Sequence, residues 1–327
     1  MSQEDGSRTD SRAIHLGTTC TISGTCFTEK SSWICTIFDD IREHGIVNPT
    51  PALHSRSGLL QQAIAGAVLD KSIAGIRIQP DWIGCDLRSY RLRLAETAVE
   101  RAAACRLRFR VFNLELGEGL AESYANGMDQ DGYDDACEHL LVEEKATGRI
   151  IGTYRMQSGM TAKRQRGYYS AQEFDFEPYE GLRPHLLELG RACIEREHRS
   201  GEVLTLLWRG IAQYAQHHGL RYLIGCSSVP SQDAGTGWAM YHQLAPFLSP
   251  PEWRTQPTAG YRLPAPPSDT AVPEVKVPKL LKTYLAVGAR ICSEPAWDRA
   301  FGTIDFLTLQ DMQELTPAAR GRFLCRP

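Results

Sequence analysis

The stretch LLELGRACIEREHRSGEVLTLLW, residues Leu186–Trp208, decides the fold. Its first nine residues are mostly apolar and short enough for a buried strand, and Gly201–His217 then repeats apolar residues on one face of a helix. A polar turn joins the two elements. A strand that passes through such a turn into a helix N-terminus often binds an anionic ligand there. Glu188 and Arg191 interrupt the apolar strand, and a purely structural strand would not need these two charges.

The rest of the chain from Tyr90 onward shows the same mixture of short strands and amphipathic helices. We predict a strand from Tyr90, a helix from Thr97 to Phe112, a hairpin over His139–Met156, a strand at Tyr222–Val229, a helix at Trp238–Leu244, a helix running into a strand from Pro278, and a last strand from Phe301. Hairpin strands followed by a strand–helix–strand unit predict an α/β (α+β) fold with a mixed sheet.

The chain divides into two parts by composition. Residues 1–85 predict a partly disordered N-terminal extension of unknown function, because the first thirty are polar and no motif follows them. Residues 86–327 form the predicted folded domain. Nine of the 18 prolines fall between Pro246 and Pro278, which predicts a long irregular excursion within that domain.

The composition limits the function classes. The 327 residues are 42% hydrophobic and 23% charged, as in ordinary globular proteins, and the net charge of −3 argues against a nucleic-acid partner. Ten cysteines without a CxxC pair predict reduced thiols and a cytoplasmic protein. No segment is long and apolar enough for a membrane span, so any membrane contact is expected to be peripheral.

Several catalytic motifs are absent from the sequence. It has no GxSxG nucleophile elbow, no GxxxxGK[ST] phosphate loop, no HExxH motif and no cluster of residues with metal-ligand spacing. A hydrolase with a protein nucleophile is therefore poorly supported, and we predict no metal. A direct transfer in which one substrate attacks another needs no such nucleophile.

Ten short blocks in one order resemble a known family. They are Leu107–Gly117, Asp129–Val142, Gly152–Met156, Gly167–Phe176, Glu188–Ile194 (ELGRACI), His198–Gly201 (HRSG), Leu206–Tyr214, Tyr222–Ser228, Pro278–Cys292 and Phe301–Leu307. Together these blocks resemble the N-acyltransferases that make lyso-ornithine lipid and other N-acyl amino acids, often labelled haemolysin-like, which are remote members of the GNAT superfamily. The resemblance implies a GNAT-like mixed central sheet flanked by helices and splayed at the Glu188–Arg191 strand.

A fainter resemblance is to the acyl-homoserine-lactone synthases, through Arg108–Phe112, Asp131–Asp134, Gly152–Arg155 and Glu188–Arg191. Both families transfer an acyl group from acyl carrier protein to a small amine. The resemblance therefore implies that a long-chain, 3-hydroxy fatty acyl group is transferred to the α-amino group of an amino acid, with ornithine as the leading acceptor. No permanently bound cofactor is implied, because the phosphopantetheine thioester of the carrier protein is a co-substrate.

The charged strand carries the predicted catalytic residues. An α-amine is mostly protonated at neutral pH, and a carboxylate within reach can take its proton as it attacks the thioester. Burial among leucines would raise the pKa of Glu188 toward a useful range. A bulge at Gly190 would place Arg191 on the same face and splay backbone N–H groups toward the anionic thioester oxygen. The alternative for Glu188 and Arg191 is a structural ion pair.

The acceptor residues follow from the resemblance. Asp131 and Asp134 resemble the pair that positions the amino substrate in the related synthases. Arg108 and Arg155 are candidates for its carboxylate, because an arginine binds a carboxylate through two parallel hydrogen bonds. The alternative is that the acidic segment is a solvated turn.

The turn after the strand holds the predicted donor residues. Acetyl-CoA enzymes of the superfamily resemble one another in an Arg/Gln-x-x-Gly-x-Gly/Ala loop, and with Arg199 in its first position the two glycine positions are Glu202 and Leu204. Because neither position holds a glycine, we expect a looser phosphate-binding loop than in those enzymes, which suits the single phosphodiester of carrier protein. The predicted docking residues are Arg199, Ser200, Gly201, Arg196, Lys163 and Arg164, the last two in a basic loop. Acyl carrier protein is therefore favoured over acyl-CoA.

Three alternatives stay open at this point. One is a signal synthase of the acyl-homoserine-lactone type, although the blocks from Pro278 onward resemble the lipid family alone. Another is a GNAT acetyltransferase that uses acyl-CoA. A haemolysin-like, membrane-active protein is the non-enzymatic alternative, but the sequence shows no amphipathic pore segment or export signal.

Overall fold

The computed structural model describes residues 82–265 and 275–324. The strands are β1 (Cys85–Asp86), β2 (Tyr90–Leu94), β3 (Glu138–Glu144), β4 (Ile150–Ser158), β5 (Leu186–Ile194), β6 (Tyr222–Val229), β7 (Arg290–Ile291), β8 (Ala296–Asp298) and β9 (Thr303–Asp311). The α-helices are α1 (Ala98–Phe109), α2 (Gly159–Arg164), α3 (Gly201–His217), α4 (Ala234–Gln243), α5 (Lys279–Val287) and α6 (Pro317–Phe323). A π-helical segment, Arg110–Leu116, continues α1.

One mixed sheet forms the centre of the described chain. Its order is β1-β2-β3-β4-β5-β6-β9-β7, and β8 pairs with β9. Every pair is antiparallel except β5 with β6, which α3 connects as a strand–helix–strand unit. A parallel pair needs such a crossover, whereas antiparallel neighbours can be joined by short turns.

The two parallel strands separate partway along their length. They pair only from Leu186 with Tyr222 to Glu188 with Ile224. Beyond that point β5 pairs with β4 alone, and the register shift between Thr153 and Arg155 leaves one extra residue on β5. The sheet is therefore splayed after Glu188, as the sequence predicted.

Hydrophobic cores cover both faces of the sheet. On one face α3 packs its apolar stripe, including Val203 and Leu207, against Leu187 of β5 and Leu223 of β6. On the other face the loops that precede β5 bury Tyr179 against Leu186. Side chains alternate between the faces of a strand, so Glu188 points away from α3.

Polar side chains set the starts of several helices. Thr97 and Glu100 form a capping box at α1, in which each side chain accepts from the other residue's backbone N–H. Ser200 accepts a hydrogen bond from the Val203 backbone N–H at 3.4 Å and so caps α3. This cap fixes the point where the polar turn ends and the helix begins.

The predicted fold class is confirmed, with two local corrections. The predicted boundaries of β5, α3 and β6 agree with the structure. The basic segment at Lys163 and Arg164 is not a loop, because α2 runs through both residues from its cap at Ser158. Helix α4 begins at Ala234 rather than Trp238, since Asp233 caps it.

The N-terminal boundary stays a prediction. Residues 1–81 lie outside the described residues, so the proposed extension over 1–85 is not tested. Within the described chain, Ile83 is already buried in the core. None of the helices in residues 82–265 and 275–324 has the length and apolar character needed to cross a bilayer.

Candidate active site

Glu188 lies at the point where β5 and β6 separate, and it is only 5% exposed. Its carboxylate accepts hydrogen bonds from two consecutive backbone N–H groups, Tyr169 at 3.0 Å and Ser170 at 2.8 Å. Burial raises the pKa of Glu188, although these N–H donors and the charge of Arg155 act in the opposite direction. A carboxylate with a raised pKa next to a cleft is suited to accept a proton near neutral pH.

Arg191 occupies the bulge of β5. It is the one residue other than glycine in the described chain with positive φ, at 51°, a conformation that costs free energy for a side chain with a Cβ. The bulge turns Arg191 to the same face as Glu188. Its guanidinium lies 4.7 Å from the centre of the ring of Tyr169, the residue whose backbone N–H binds the Glu188 carboxylate. The structure thus brings Glu188, Gly190 and Arg191 together around one splayed strand.

A buried network of three arginines and three aspartates lies beside Arg191. Its members, called the charge network below, are Arg108, Arg155, Arg191, Asp129, Asp131 and Asp134. Arg108 binds both carboxylate oxygens of Asp134 at 2.8 Å, and Arg155 binds Asp131 at 2.7 Å and Asp134 at 3.2 Å. Three positive and three negative side chains give the network no formal net charge.

The network holds two kinds of residue. Arg108 is completely buried, and its partner Asp134 is 2% exposed. Burial acts to raise the pKa of Asp134, but the hydrogen bonds and charge of Arg108 outweigh it and hold that pKa well below its usual range. The side chain of Asp131 keeps 14% of its surface exposed. Asp131, whose partner Arg155 is itself only 4% exposed, is therefore better placed to meet a substrate than Arg108 and Asp134.

The predicted docking residues do not form one surface. Arg196 is exposed after the end of β5, whereas Lys163 and Arg164 are exposed on α2, which follows β4. The last residue of β4 pairs with Leu187 at the start of β5, so the two groups lie at opposite ends of the β4–β5 pair. Carrier docking by both groups together stays a prediction.

The polar turn is held by its own contacts. Arg199 binds both oxygens of Glu115, at 2.5 and 2.6 Å, and donates to the Ile194 carbonyl at 3.0 Å. Ser200 and Gly201 begin α3, and the N-terminal N–H groups of a helix are suited to bind an anion. This helix start follows the end of β5 at which the two strands are splayed.

A cleft opens between the separated strands. It is called the splay cleft below, and it contains about 370 Å³ of empty space, including the part open to solvent. Its lining residues include Tyr154, Leu189, Trp208, Leu223, Ile224, Gly225, Cys226, Tyr284 and Gln310. Alternate residues of β6 belong to opposite faces of the sheet. Leu189, Trp208, Leu223 and Tyr284 of its lining belong to the core on the α3 face, so the cleft lies on that face, beside the point where the strands separate.

Two buried polar atoms in the splay cleft have no hydrogen-bond partner. They are the indole N–H of Trp208 and the side-chain oxygen of Gln310. A buried donor and a buried acceptor without partners each cost free energy unless a ligand or water satisfies them. The rest of the cleft near Trp208 is mainly apolar and aromatic, with Tyr154 and Tyr284 joined by a hydrogen bond of 2.8 Å.

Several residues of the site were not predicted from the sequence. Tyr169 and Ser170 belong to the block GYYSAQEFDF, but nothing in that block marks the two backbone N–H groups that hold Glu188. Glu173, in the same block, lies with Cys226 and Asp305 so that their possible ligand atoms are within 4.8 Å of one another. These three residues are far apart in the chain, so sequence spacing could not reveal a group able to hold a metal.

Comparison with known proteins gives the class of the protein. Residues 107–209 match the sequence model of the family described as an acetyltransferase (GNAT) domain. The crystal structure of the AHL synthase LasI aligns with a TM-score of 0.40 and 13% identity, covering 72% of this chain and 94% of that one. The match to the family model and the splayed mixed sheet define a GNAT-type acyltransferase, an enzyme that requires an acyl donor and an amine acceptor.

Relatives with known activity give the family. An L-ornithine N(alpha)-acyltransferase of Brucella abortus (strain 2308) is 33% identical over 243 residues, which cover 70% of this chain and 86% of that protein. A second L-ornithine N(alpha)-acyltransferase, from Rhodobacter capsulatus, is 31% identical over 244 residues, which cover 71% of this chain and 93% of that protein. The chain belongs to the L-ornithine N(alpha)-acyltransferase family, and the resemblance predicted from the sequence blocks is confirmed.

Proposed function

We propose that this enzyme transfers a long-chain 3-hydroxyacyl group from acyl carrier protein to the α-amino group of ornithine. The observation that carries the proposal is the position of Glu188, a buried carboxylate with a raised pKa at the last residue of β5 that pairs with β6. The relatives named above are L-ornithine N(alpha)-acyltransferases, which supports ornithine as the acceptor.

The reaction needs a group that accepts a proton from the amine and hydrogen-bond donors that bind the thioester carbonyl oxygen. The α-ammonium loses a proton to Glu188, and the free amine attacks the thioester carbon. A C–N bond forms, the C–S bond breaks, and the second proton lost by the amine nitrogen passes to the sulfur, so that the pantetheine arm leaves as a thiol. Backbone groups of β5 around Gly190, which have no partner on β6, are positioned to donate to the thioester oxygen.

The charge network orients the acceptor. Asp131 and Arg155 are proposed to contact its ammonium and carboxylate groups, with Arg191 closing the site beside Tyr169. Arg108 and Asp134 hold these residues from behind and act as positioning residues. This division refines the sequence prediction, which assigned all four aspartate and arginine residues to the substrate.

The splay cleft is proposed to hold the pantetheine arm and the acyl chain. Its aromatic lining suits an apolar chain, and the unpaired N–H of Trp208 and oxygen of Gln310 suit a hydroxyl group, which donates and accepts. Either of these two polar atoms could bind the hydroxyl of a 3-hydroxyacyl chain, which supports that donor. The exposed Arg196 and the N–H group of Gly201 at the start of α3 would receive the phosphodiester and an acidic carrier, because the Ser200 N–H already donates to the His198 carbonyl at 2.8 Å.

A reconstituted assay tests the proposal. Purified protein is incubated with 3-hydroxyacyl groups of equal length on acyl carrier protein or on CoA, together with ornithine, lysine or glycine, and products are identified by mass spectrometry. We expect N-acyl ornithine from the carrier-protein donor. The absence of an N-acyl product with every donor and amine would overturn the function, whereas a preference for acyl-CoA would overturn only the choice of donor.

A Glu188→Gln variant tests the role of the base in the same assay. We expect kcat to fall by roughly 10²- to 10⁴-fold, because general-base catalysis typically contributes this factor. Glu138→Gln, a matched change at an exposed position of β3, should keep normal activity. Near-normal turnover by a folded Glu188→Gln protein would remove Glu188 from the mechanism.

A further inference from the structure

A second group of acidic side chains lies close to Glu188 but has no role in the proposed acyl transfer. Glu173, Asp298 and Asp305, called the acidic cluster below, are 1%, 4% and 4% exposed. The cluster lies near Glu188 because the Glu173 backbone N–H donates to the Ser170 carbonyl at 3.1 Å, and the Ser170 N–H binds Glu188.

The acidic cluster is not neutralised by the protein. None of its members forms an ion pair with a cation among the described residues, in contrast to the aspartates of the charge network. Burial, followed by the charges of Asp305 and Asp298, raises the pKa of Glu173 well above its usual range. Burial and the charge of Asp298 likewise raise the pKa of Asp305 to about 6. A cation bound beside them would lower both pKa values and stabilise the ionised carboxylates.

An independent feature indicates a ligand. Glu173 comes from the loop before β5 and projects toward Cys226 and Asp305 on the sheet, and neither of its carboxylate oxygens has a hydrogen-bond partner. One oxygen of Asp305 is also buried without a hydrogen bond of normal geometry, although the side chains of Ser228 and Thr303 stabilise its ionised form. Buried polar atoms are nearly always satisfied, so the two oxygens of Glu173 are open to a further donor.

The geometry suits one nitrogen. The possible ligand atoms of Glu173, Cys226 and Asp305 lie within 4.8 Å of one another, so one atom between them can be about 2.8 Å from each. That separation is normal for a hydrogen bond from an ammonium group to a carboxylate. An ammonium has three donors and no acceptor, and this matches a set of unpaired acceptors.

We propose that the acidic cluster binds the second ammonium group of the acceptor and thereby selects a diamino acid. This inference rests on the proposed function, because ornithine carries one amine that is acylated and one that stays charged. With the α-amine at Glu188, the side-chain ammonium extends along the same face of the sheet to Glu173 and Asp305. An acceptor without that charge would leave the buried carboxylates unpaired.

The test compares ornithine with norvaline, which has the same carbon skeleton without the terminal amine. With the full chain and acyl-carrier-protein donor, we expect kcat/KM for ornithine to exceed that for norvaline by about 10- to 100-fold. Glu173→Gln and Asp305→Asn should lose most of this preference through a higher KM for ornithine and leave norvaline unchanged. Glu252→Gln, at an exposed position, is the matched control and should keep the preference.

Two kinetic outcomes would overturn the inference. The first is an equal loss with both amines in the two variants, which would indicate a structural role. The second is abolition of the ornithine preference by a chelator and its restoration by Zn²⁺ or Mg²⁺, which would indicate a metal site. If the wild type acylated neither amine, the proposed function would fail. The inference would then be decided by binding alone, and ornithine should raise the unfolding temperature of the wild type but not of Glu173→Gln.

Discussion

At the scale of single residues, the buried charges separate into two kinds by their partners. Asp134 is paired with Arg108 through two hydrogen bonds of 2.8 Å, so its ionised form is stabilised in the folded protein. Glu173 has no such cation, and its ionised form is disfavoured. A charge that is paired internally holds the site in shape, whereas a charge that is left unpaired is available to a ligand.

This distinction predicts different effects for two aspartates. Asp134→Asn would leave the fully buried Arg108 without its main counter-charge, so we expect the free energy of unfolding to fall by about 3–5 kcal/mol. Asp131→Asn, at a partly exposed position, should cost less stability and mainly raise the KM for the acceptor. Urea unfolding and steady-state kinetics on both variants measure these effects. A stable Asp134→Asn protein with only a raised KM would instead make Asp134 a substrate contact.

At the scale of elements, the site depends on where β5 and β6 stop pairing. Gly225 of β6 approaches the Leu189 carbonyl so closely that a Cβ at residue 225 would lie 2.2 Å from that oxygen. No atom lies within 4 Å of a Cβ built on Gly190. The two strands thus still touch at Leu189 and Gly225, whereas the space beside Gly190, the next residue of β5, is open.

A substitution at this contact tests the arrangement. Gly225→Ala would force the strands apart, and we expect the free energy of unfolding to fall by about 1–3 kcal/mol, as for other overpacked sites, with a loss of acyl transfer. Gly181→Ala is the control, because its added Cβ meets no atom within 4 Å. If Gly225→Ala matched the control in denaturant unfolding, the close approach would not constrain the splay.

The elements also differ in whether they could be predicted from the sequence. The boundaries of β5, α3 and β6 were predictable, because long apolar periodic runs end at polar turns. The six-residue helix α2 was not, since so short a segment has too little periodicity to separate it from a loop. The splay was expected through Glu188 and Gly190. The acidic cluster was not, because Glu173 and Asp305 meet only after β9 pairs with β6, and no local pattern records that contact.

At the scale of the whole molecule, the charge network and the acidic cluster have opposite effects on stability as the pH changes. A group whose pKa is lowered on folding, such as Asp134, contributes stability above its unfolded pKa of about 3.9, and this is lost as the pH falls further. A group whose pKa is raised, such as Asp305, contributes stability that is present below about 3.9 and lost as the pH rises through about 6. The unliganded enzyme should therefore be weakened near neutral pH by the residues proposed to bind its acceptor.

The unfolding temperatures of the wild type, Asp305→Asn and Asp134→Asn, measured from pH 3 to 8, test these opposite effects of pH. We expect Asp305→Asn to differ little from the wild type below about pH 4 and to be more stable above about pH 6, because the variant no longer buries a charge. Asp134→Asn should show the reverse, with a deficit that is fully present above about pH 4, where Arg108 lacks its ionised partner, and that shrinks as the pH falls below about 4. Ornithine supplies the missing cation, so a saturating concentration should reduce the advantage of Asp305→Asn near neutral pH. An Asp305→Asn protein that is less stable than the wild type at pH 8 without ornithine would show that the acidic cluster is internally satisfied, and the proposed ammonium site would then lose its physical basis.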